Sequence, residues 1–213
     1  MTGLDRYHVS REPVQVLTKD QIRRALTEVR HDPVTFAPTA KHAAVAMVIA
    51  DGPTGLDVCF IRRAEQDGDP WSGHVSFPGG RAETTDVSAH AVAERETYEE
   101  FGLTLGDSQR IGNLPLMPRI RHGLTLFPFV YFADNMTRAQ AIVRTPEEVA
   151  SVFWIPMTHL FDPGAVTQLE YSMDGDMVTL PGIRFADHVI WGLTLQLLQS
   201  FASLVKRPFP AFD

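Results

Sequence analysis

Residues 79–103 read GGRAETTDVSAHAVAERETYEEFGL, and this stretch decides how the rest of the chain is interpreted. Its second half predicts a helix that places Glu96, Glu99 and Glu100 within an arc of about 100°. Like charges at these spacings destabilise a helix by about 0.2–0.5 kcal/mol per pair. A divalent cation would remove the repulsion, because Mg²⁺ and Mn²⁺ accept carboxylate oxygens as ligands. A solvated acidic face explains the helix alone equally well.

The residues on either side of this helix set its limits. Asp86 and Ser88 are both good N-cap residues, so the helix is predicted to begin near one of them. Asp86 could also be a distant metal ligand, but we expect it to be an N-cap. Gly102 is a natural left-handed terminator. Upstream, Gly79 and Gly80 permit a tight backbone that can approach an ion closely, which favours metal binding over a solvated face.

Length and composition favour one domain with a single core. The chain has 213 residues, of which 44% are hydrophobic, and this is too short for two comfortable domains. A net charge of −7 argues against a nucleic-acid partner, which would require a basic surface. Cys59 is the only cysteine and lies in the strand-like run DVCFIRR, so we expect a buried thiol rather than a nucleophile.

Neither end of the chain predicts export or a membrane span. The N-terminal run MTGLDRYHVSREP has charges where a signal peptide would need its apolar region. Residues Val189 to Val205 lack formal charges, but polar side chains interrupt them. Their apolar residues, including Ile190, recur at helical spacing, which predicts an amphipathic helix on the core. We expect a soluble, cytoplasmic protein with no membrane partner.

Outside the acidic helix, apolar runs alternate with turns. A capping box at Thr18 and Gln21 predicts a short N-terminal helix, and residues 157–161 could form another. Strands are predicted at His42–Ala50, Leu56–Ile61, Ile111–Leu116, Leu124–Phe132 and Val152–Ile155, and a hairpin at Gln168–Met173 and Met177–Leu180. The first strand is expected to be buried on both faces. Pro128 requires an edge strand or a bulge, because it has no N–H to donate.

The run from Arg95 to Leu103 resembles the signature of the Nudix hydrolases, R-E-U-x-E-E-x-G-U, where U is a bulky aliphatic residue. Every fixed position matches, and Thr97 is a weak match to the first U. The upstream half of the general signature requires glycine and glutamate where this chain has Arg81 and Val87. In the coenzyme A pyrophosphatase-like branch the loop is one residue longer, and the spacing from Gly80 to Asp86 is similar to that branch.

Flanking phrases extend this resemblance over roughly residues 40–200. They are Ser72-Gly73-His74, Glu148-Val149, Phe153-Trp154-Ile155-Pro156 and Ile190-Trp191-Gly192-Leu193-Thr194. The resemblance implies an α/β fold, a Nudix-type αβα sandwich around a mixed sheet. We expect a single domain at residues 38–207, preceded by an extension with one helix at 1–37 and followed by a tail at 208–213.

One segment departs from the branch. A stretch associated with coenzyme A recognition normally carries two arginines before a glycine. Arg63-Ala64 fit its start and Gly73 its end, but Gly68 and its neighbours occupy the region of the second arginine. Pyrophosphate hydrolysis is therefore better supported than coenzyme A as the substrate.

The resemblance also assigns roles at the site. The signature run from Arg95 to Leu103 is called the box from here on. The resemblance implies that Mg²⁺ or Mn²⁺ is held by the glutamates of this box and by the backbone carbonyl of Gly79, so the metal ligands are Glu96, Glu99, Glu100 and Gly79. Arg95 lies one turn before Glu99 and could pair with it and hold it in place. The general base is Glu96, Glu147 or Glu148, and we favour Glu148. In the simpler interpretation, Glu148 belongs to the first turn of a helix.

Cations that bind substrate phosphates must come from outside the helix. The candidates are Arg81, Arg63, Arg119 and Arg121, although a lone arginine is more often a solvated surface residue. His122 is a weaker catalytic candidate. Trp71 and Trp191 could stack on an adenine, but packing is the commoner role of such residues, and Trp191 is expected in the core on the C-terminal helix.

Three functional hypotheses follow. The first is metal-dependent hydrolysis of coenzyme A or acyl-coenzyme A to a phosphopantetheine and adenosine 3′,5′-bisphosphate. The second is hydrolysis of another nucleoside diphosphate derivative, such as ADP-ribose, NADH or a nucleotide sugar. The third is a nucleotide-binding regulator without turnover. A small-molecule nucleotide is the expected partner, and the terminal helices are available for a homodimer.

Overall fold

The computed structural model describes the chain at residues 17–28, 35–68, 71–120, 123–173 and 176–212. The helices are α1 (Lys19–Thr27), α2 (Ala89–Phe101), α3 (Asn135–Ala139), α4 (Met157–Leu160) and α5 (Gly192–Leu204). The strands are β1 (His42–Gly52), β2 (Gly55–Arg63), β3 (Val75–Ser76), β4 (Gly79–Arg81), β5 (Arg110–Asn113), β6 (Met117–Ile120), β7 (Leu124–Ala133), β8 (Val149–Pro156), β9 (Val166–Met173), β10 (Asp176–Phe185) and β11 (His188–Trp191).

Within the described residues, eight strands form one mixed sheet around β1. β1 pairs antiparallel with β2 and β4 and parallel with β7. β2 also pairs with β3 and with β8. Most residues of β1 are buried, as expected for a strand covered on both faces. The predicted strands that belong to this sheet are confirmed, except that the one expected at Ile111–Leu116 ends at Asn113.

Two apolar clusters cover the two faces of this sheet. On one face, Ala46, Val48 and Cys59 pack with Val92 and Phe101 of α2. Residues of α1 and α5 join the cluster on the other face, which contains Met47, Ile49, Phe60, Leu26, Leu198 and Phe201. The predicted layering of helices on both faces of a mixed sheet is confirmed. Cys59 is fully buried, which raises the pKa of its thiol, so the expectation of an inert core cysteine is confirmed.

Pro128 lies in an interior strand, because β7 has β1 on one side and β5 and β6 on the other. β5 pairs with residues around Phe129, and β6 begins to pair only at Leu126. The Pro128 carbonyl accepts a hydrogen bond from the Leu114 N–H at 3.0 Å, just beyond the end of β5. A break between two partner strands, rather than an edge strand, therefore accommodates the missing N–H.

β9, β10 and β11 form a second, antiparallel sheet. The predicted hairpin is confirmed, since Met173 pairs with Asp176, while its Asp174-Gly175 turn lies outside the described residues. The prediction of one helix from Val189 was wrong at its start. Ile190 pairs with Ile183 in the sheet, and α5 begins only at Gly192, whose φ of +60° suits glycine.

The N-terminal helix matches its prediction. The Gln21 N–H donates to Thr18 Oγ1 at 3.3 Å, and the Thr18 N–H donates to Gln21 Oε1 at 3.0 Å, which completes the capping box. Ile22 and Leu26 are buried against the core. None of the described helices is long and apolar enough to cross a membrane.

Candidate functional site

α2 begins and ends where its capping chemistry allows. Ser88 Oγ accepts a hydrogen bond from the Ala91 N–H at 3.2 Å. At the other end, Gly102 adopts φ +75° and its N–H donates to the Tyr98 carbonyl at 2.9 Å. Ser88 is thus the N-cap, and the expectation that Asp86 caps the helix was wrong.

Asp86 instead pairs with Arg95. Arg95 Nε donates to Asp86 Oδ1 at 3.1 Å, and Nη2 donates to Oδ2 at 3.0 Å, which is the bidentate arrangement that arginine and carboxylate favour. Oδ2 also accepts from the Glu83 N–H at 2.7 Å, and Arg95 Nη2 donates to the Arg81 carbonyl at 3.1 Å. The guanidinium therefore fastens the loop between β4 and α2 to the helix.

The contact between Asp86 and Arg95 shifts the pKa values of both residues. Burial alone would raise the pKa of Asp86, but the hydrogen bonds from Arg95 and from the Glu83 amide outweigh it and lower the pKa. The hydrogen bonds that Arg95 donates to Asp86 are the largest influence on Arg95 and raise its pKa further above the usual value. Both groups are held in their charged forms.

The remaining side of the Arg95 guanidinium contacts two box carboxylates. Nη1 donates to Glu96 Oε1 at 3.1 Å and to Glu99 Oε2 at 2.8 Å. The predicted pairing of Arg95 with Glu99 is present, and the contact with Glu96 is additional. One cation therefore offsets the repulsion between Glu96 and Glu99 and orients both of them.

Glu100 is the buried carboxylate of the group, with 4% of its surface exposed. Its Oε2 accepts a hydrogen bond from the Gly79 N–H at 3.1 Å. Gly79 adopts φ +146°, and a Cβ there would lie 2.2 Å from the Ala44 carbonyl oxygen. A Cβ at Gly80 would lie 2.2 Å from Glu96 Oε1. The two glycines therefore let β4 pass directly against the carboxylates of α2.

The electrostatics of this group reach beyond the helix. Burial raises the pKa of Glu96 to about 6, against the opposing effect of Arg95. Burial and the charge of Glu96 raise the pKa of Glu100 well above its usual value. The charge of Glu148 raises both pKa values, and that of Arg63 lowers the pKa of Glu100. The structure thus brings Glu148 and Arg63 into the electrostatic surroundings of the box.

The donor set fits a hard divalent cation by its chemistry. Within the described ranges, no three His, Cys, Asp or Glu side chains are arranged to hold a metal ion. The Arg95 guanidinium contacts Glu96 and Glu99, and the Gly79 amide contacts Glu100. Buried carboxylates with raised pKa values are nevertheless the groups whose ionised form a divalent cation would stabilise most.

Glu148 lies in a turn directly before β8. Its N–H donates to the Thr145 carbonyl at 2.9 Å, and its own carbonyl accepts from the Ala64 N–H at 2.8 Å. Its side chain is exposed, as is that of Glu147. The alternative reading of Glu148 as a first-turn helix residue was wrong, because a strand follows the turn.

The four candidate arginines have different surroundings. Arg63 ends β2 near Glu100. Arg81 is exposed, and its Nη1 donates to the Ala40 carbonyl at 2.6 Å. Arg119 lies in β6 with φ +52°, while Arg121 lies outside the described residues, as does His122. The charge of Arg63 lowers the pKa of Glu100, and substrate binding by all four arginines stays a prediction.

Trp191 lies outside the helix on which it was expected. It ends β11, half-buried, with its ring centroid 4.5 Å from that of His74 and 4.6 Å from that of Tyr171. The His74 carbonyl accepts from the Arg63 N–H at 2.9 Å, so this aromatic cluster adjoins the arginine near the box. Trp71 is 40% exposed. Adenine stacking by either tryptophan stays a prediction.

Two features of the site were missed from the sequence. The Asp86–Arg95 pair joins residues nine positions apart, one in the loop before α2 and one in the helix. The sequence offered one indication of it, the additional loop residue that gives the Gly80-to-Asp86 spacing. The attachment of Gln66 to the turn before β8 had none, because it joins segments 81 residues apart.

Comparisons with known proteins place this geometry in a family. The NUDIX domain model matches residues 40–174. The chain is 26% identical over 187 residues to an uncharacterised Nudix hydrolase, NudL, of Photorhabdus laumondii, covering 88% of this chain and 97% of that one. It is 28% identical over 204 residues to the mitochondrial Nudix hydrolase 15 of Arabidopsis thaliana, covering 93% and 70% of the two chains.

A third relative has a more specific name. The peroxisomal coenzyme A diphosphatase NUDT7 of Mus musculus is 28% identical over 147 residues, covering 66% of this chain and 60% of that protein. Among solved structures, a MutT/nudix family protein from Enterococcus faecalis superposes with a TM-score of 0.54 at 15% identity, covering 90% of this chain and 76% of that one. That likeness shows the fold alone.

Proposed function

The chain belongs to the Nudix family of pyrophosphohydrolases, and from this premise we propose that it hydrolyses coenzyme A or acyl-coenzyme A to a phosphopantetheine and adenosine 3′,5′-bisphosphate. The observation that carries the proposal is the arrangement of Glu96, Glu99 and Glu100 around Arg95 and Gly79. This partly buried group of carboxylates, oriented by Arg95 and by the Gly79 amide, supports hydrolysis of a pyrophosphate bond.

The proposed ligands of a divalent cation, Mg²⁺ or Mn²⁺, are Glu96, Glu99, Glu100 and the carbonyl of Gly79. Nudix hydrolases generally use divalent metal ions. Such an ion would lower the pKa of a bound water and neutralise charge on the phosphate oxygens. The three acids are otherwise difficult to keep ionised together, since Glu96 and Glu100 both have raised pKa values.

The remaining steps fall to side chains of this chain. Arg95 orients Glu96 and Glu99 and, through Asp86, holds the loop beside them. Glu148 takes the proton from the attacking water as general base, with Glu96 as the competing assignment. Arg63 contributes positive charge to the substrate phosphates, and Arg81, Arg119 and Arg121 are further candidates. Charge that accumulates on the leaving phosphate is thereby stabilised.

Coenzyme A is favoured over other nucleotides by two observations. The mouse relative is named as a coenzyme A diphosphatase, and Arg63, Ala64 and Gly73 occupy the matching ends of the recognition stretch. The absence of an arginine near Gly68 favours the second candidate function, hydrolysis of ADP-ribose, NADH or a nucleotide sugar. The third, nucleotide binding without turnover, would require a reason to retain mutually repelling carboxylates.

A substrate panel tests the proposal. Purified protein would be incubated with coenzyme A, octanoyl-coenzyme A, ADP-ribose, NADH, UDP-glucose and a dinucleoside polyphosphate, with Mg²⁺ or Mn²⁺. We expect adenosine 3′,5′-bisphosphate from the first two substrates in chromatography, and none after chelation. Turnover of UDP-glucose or ADP-ribose alone would contradict the coenzyme A assignment. Nucleotide binding without any product would support the regulator.

We also propose that residues 38–207 form the catalytic domain, that the protein acts in the cytoplasm, and that it forms a homodimer. α1 is largely exposed apart from Ile22 and Leu26, and α5 has a narrow exposed face at Gln196, Gln199 and Ser203, so a symmetric interface could form on these faces. Light scattering coupled to gel filtration tests the dimer, and a mass of one chain would contradict it.

A further inference from the structure

We propose that Gln66 is a positioning residue that sets the direction of the Glu148 side chain. This inference rests on the proposed role of Glu148 as general base. Gln66 lies in the segment after β2 in which this chain departs from the coenzyme A branch, and its side chain crosses to the turn before β8. Gln66 Nε2 donates a hydrogen bond to the Glu147 carbonyl at 2.5 Å.

Both peptide planes that adjoin the Glu148 Cα atom donate from their N–H groups to the Thr145 carbonyl within the turn, and the carbonyl of each accepts a further hydrogen bond from outside it. The Glu147 carbonyl belongs to the plane before it and accepts from Gln66. The Glu148 carbonyl belongs to the plane after it and accepts from the Ala64 N–H at 2.8 Å. Fixing two consecutive planes fixes φ and ψ at the residue between them and therefore the direction of its Cα–Cβ bond.

The backbone of Gln66 is itself immobilised by Ser72. The Gln66 N–H donates to Ser72 Oγ at 2.9 Å, and Ser72 Oγ donates to the Gln66 carbonyl at 2.8 Å. The Ser72 hydroxyl thus forms a hydrogen bond with both the N–H and the carbonyl of Gln66. The side-chain amide therefore extends from a fixed backbone, which is the property a positioning group requires.

Arg63, the last residue of β2, directly precedes this segment. Arg63 influences the pKa of Glu100, Ala64 contacts the Glu148 carbonyl, and Gln66 contacts the Glu147 carbonyl. A substrate phosphate bound at Arg63 would therefore hold one end of a segment whose next residues are hydrogen-bonded to the backbone of the proposed general base, Glu148, and of its neighbour Glu147. Gln66 couples substrate recognition to the orientation of Glu148 without contacting the reacting atoms.

A double-mutant cycle on the full chain tests this role. Gln66→Ala removes the donor, and Gln66→Asn keeps an amide that is one methylene too short. We expect either change to lower kcat for coenzyme A about three- to tenfold, the equivalent of one hydrogen bond, with KM within about twofold. In a Glu148→Gln background neither change should lower kcat further, because the group that Gln66 positions no longer acts as a base.

Gln168→Ala is the matched control, since Gln168 is exposed on β9, and it should leave kcat unchanged. Thermal melting of each variant checks the fold. An unchanged kcat in both Gln66 variants, or an equal loss in the wild-type and Glu148→Gln backgrounds, would overturn the inference while leaving hydrolysis established. Full activity of Glu148→Gln would overturn the base assignment and the inference together. A wild-type protein that cleaves no substrate would instead reject the proposed function.

Discussion

The box around α2 and the turn before β8 are assembled in different ways. In the box, Arg95 reaches Glu96 and Glu99 within one helical turn and Asp86 nine residues away. At the turn, Glu147 and Glu148 are held by residues of the segment after β2, more than eighty positions earlier in the chain. Local geometry builds the acidic site, and strand pairing brings the remaining groups to it.

The largest expected effect comes from the box. Glu100→Gln should lower kcat about 10²- to 10³-fold, because it removes a buried ionised ligand at the reacting centre. It should leave the fold intact or more stable above neutral pH, since a neutral side chain replaces a buried carboxylate with a raised pKa. Product assays and thermal melting measure both. Glu170→Gln in the exposed hairpin is the control, and near-normal turnover in Glu100→Gln would contradict the metal assignment.

The next largest effect is expected in the turn before β8, where Glu148 can be compared with its neighbour Glu147. Glu148→Gln should lower kcat about 10- to 100-fold, as expected for loss of a general base, while the adjacent Glu147→Gln should cost less than about threefold. Steady-state kinetics at pH 8 distinguishes them. If Glu147→Gln is the more damaging change, the base has been assigned to the wrong residue of the turn.

Substitutions at Gly79 and Gly80 are expected to affect different properties, folding stability at Gly79 and catalysis at Gly80. Gly79→Ala would place a Cβ against the Ala44 backbone and strain a φ of +146°, so we expect at least about 2 kcal/mol of destabilisation. Gly80→Ala would meet only the flexible end of Glu96. It should fold near normally yet lose about tenfold in kcat through displacement of Glu96. Urea unfolding measures the stability of both variants, and steady-state kinetics measures their kcat. Equal destabilisation of the two variants would contradict the expectation that only Gly79 is needed for folding.

The Asp86 and Arg95 pair should affect stability more than chemistry. Asp86→Asn removes the bidentate carboxylate partner of the Arg95 guanidinium and leaves it Glu96 and Glu99, so we expect the free energy of unfolding to fall by about 1.5–3 kcal/mol. The turnover number should fall only about tenfold, because Glu96 and Glu99 retain the contacts with Arg95 that orient them. Urea titration and kinetics test this. Unchanged stability would show that the loop is held by other contacts.

The smallest effect is a dependence of melting on pH. The folded-state pKa of Glu96 is raised from 4.5 to about 6, so the metal-free folded protein binds more protons than the unfolded chain in this window. Its stability should fall as pH rises from about 4.5 through 6. Mg²⁺ should therefore raise the melting temperature more at pH 8 than at pH 5. Calorimetry with and without the ion measures the shift, and an equal shift at both pH values would contradict it.

The sequence predicted the fold most securely where local chemistry decides the outcome. The Thr18 capping box and the Gly102 terminator lie where they were expected, because each depends on atoms within a few residues. The start of the last helix was misplaced, since the apolar residues at 189–191 fit a helical spacing and a strand equally well. Their hydrogen bonds to β10 decided between the two.

The sequence by itself determined the family, the acidic helix and the three carboxylates, because a short motif on a regular helix specifies its own geometry. Only the tertiary structure showed that Asp86 pairs with Arg95, that Glu100 is buried against Gly79, and that a segment after β2 holds the turn of Glu148. These contacts depend on loop conformation and on the register between β2 and β8. No hairpin turn joins β2 and β8, so the turn geometry that fixes register between neighbouring strands was not there to be recognised in the sequence.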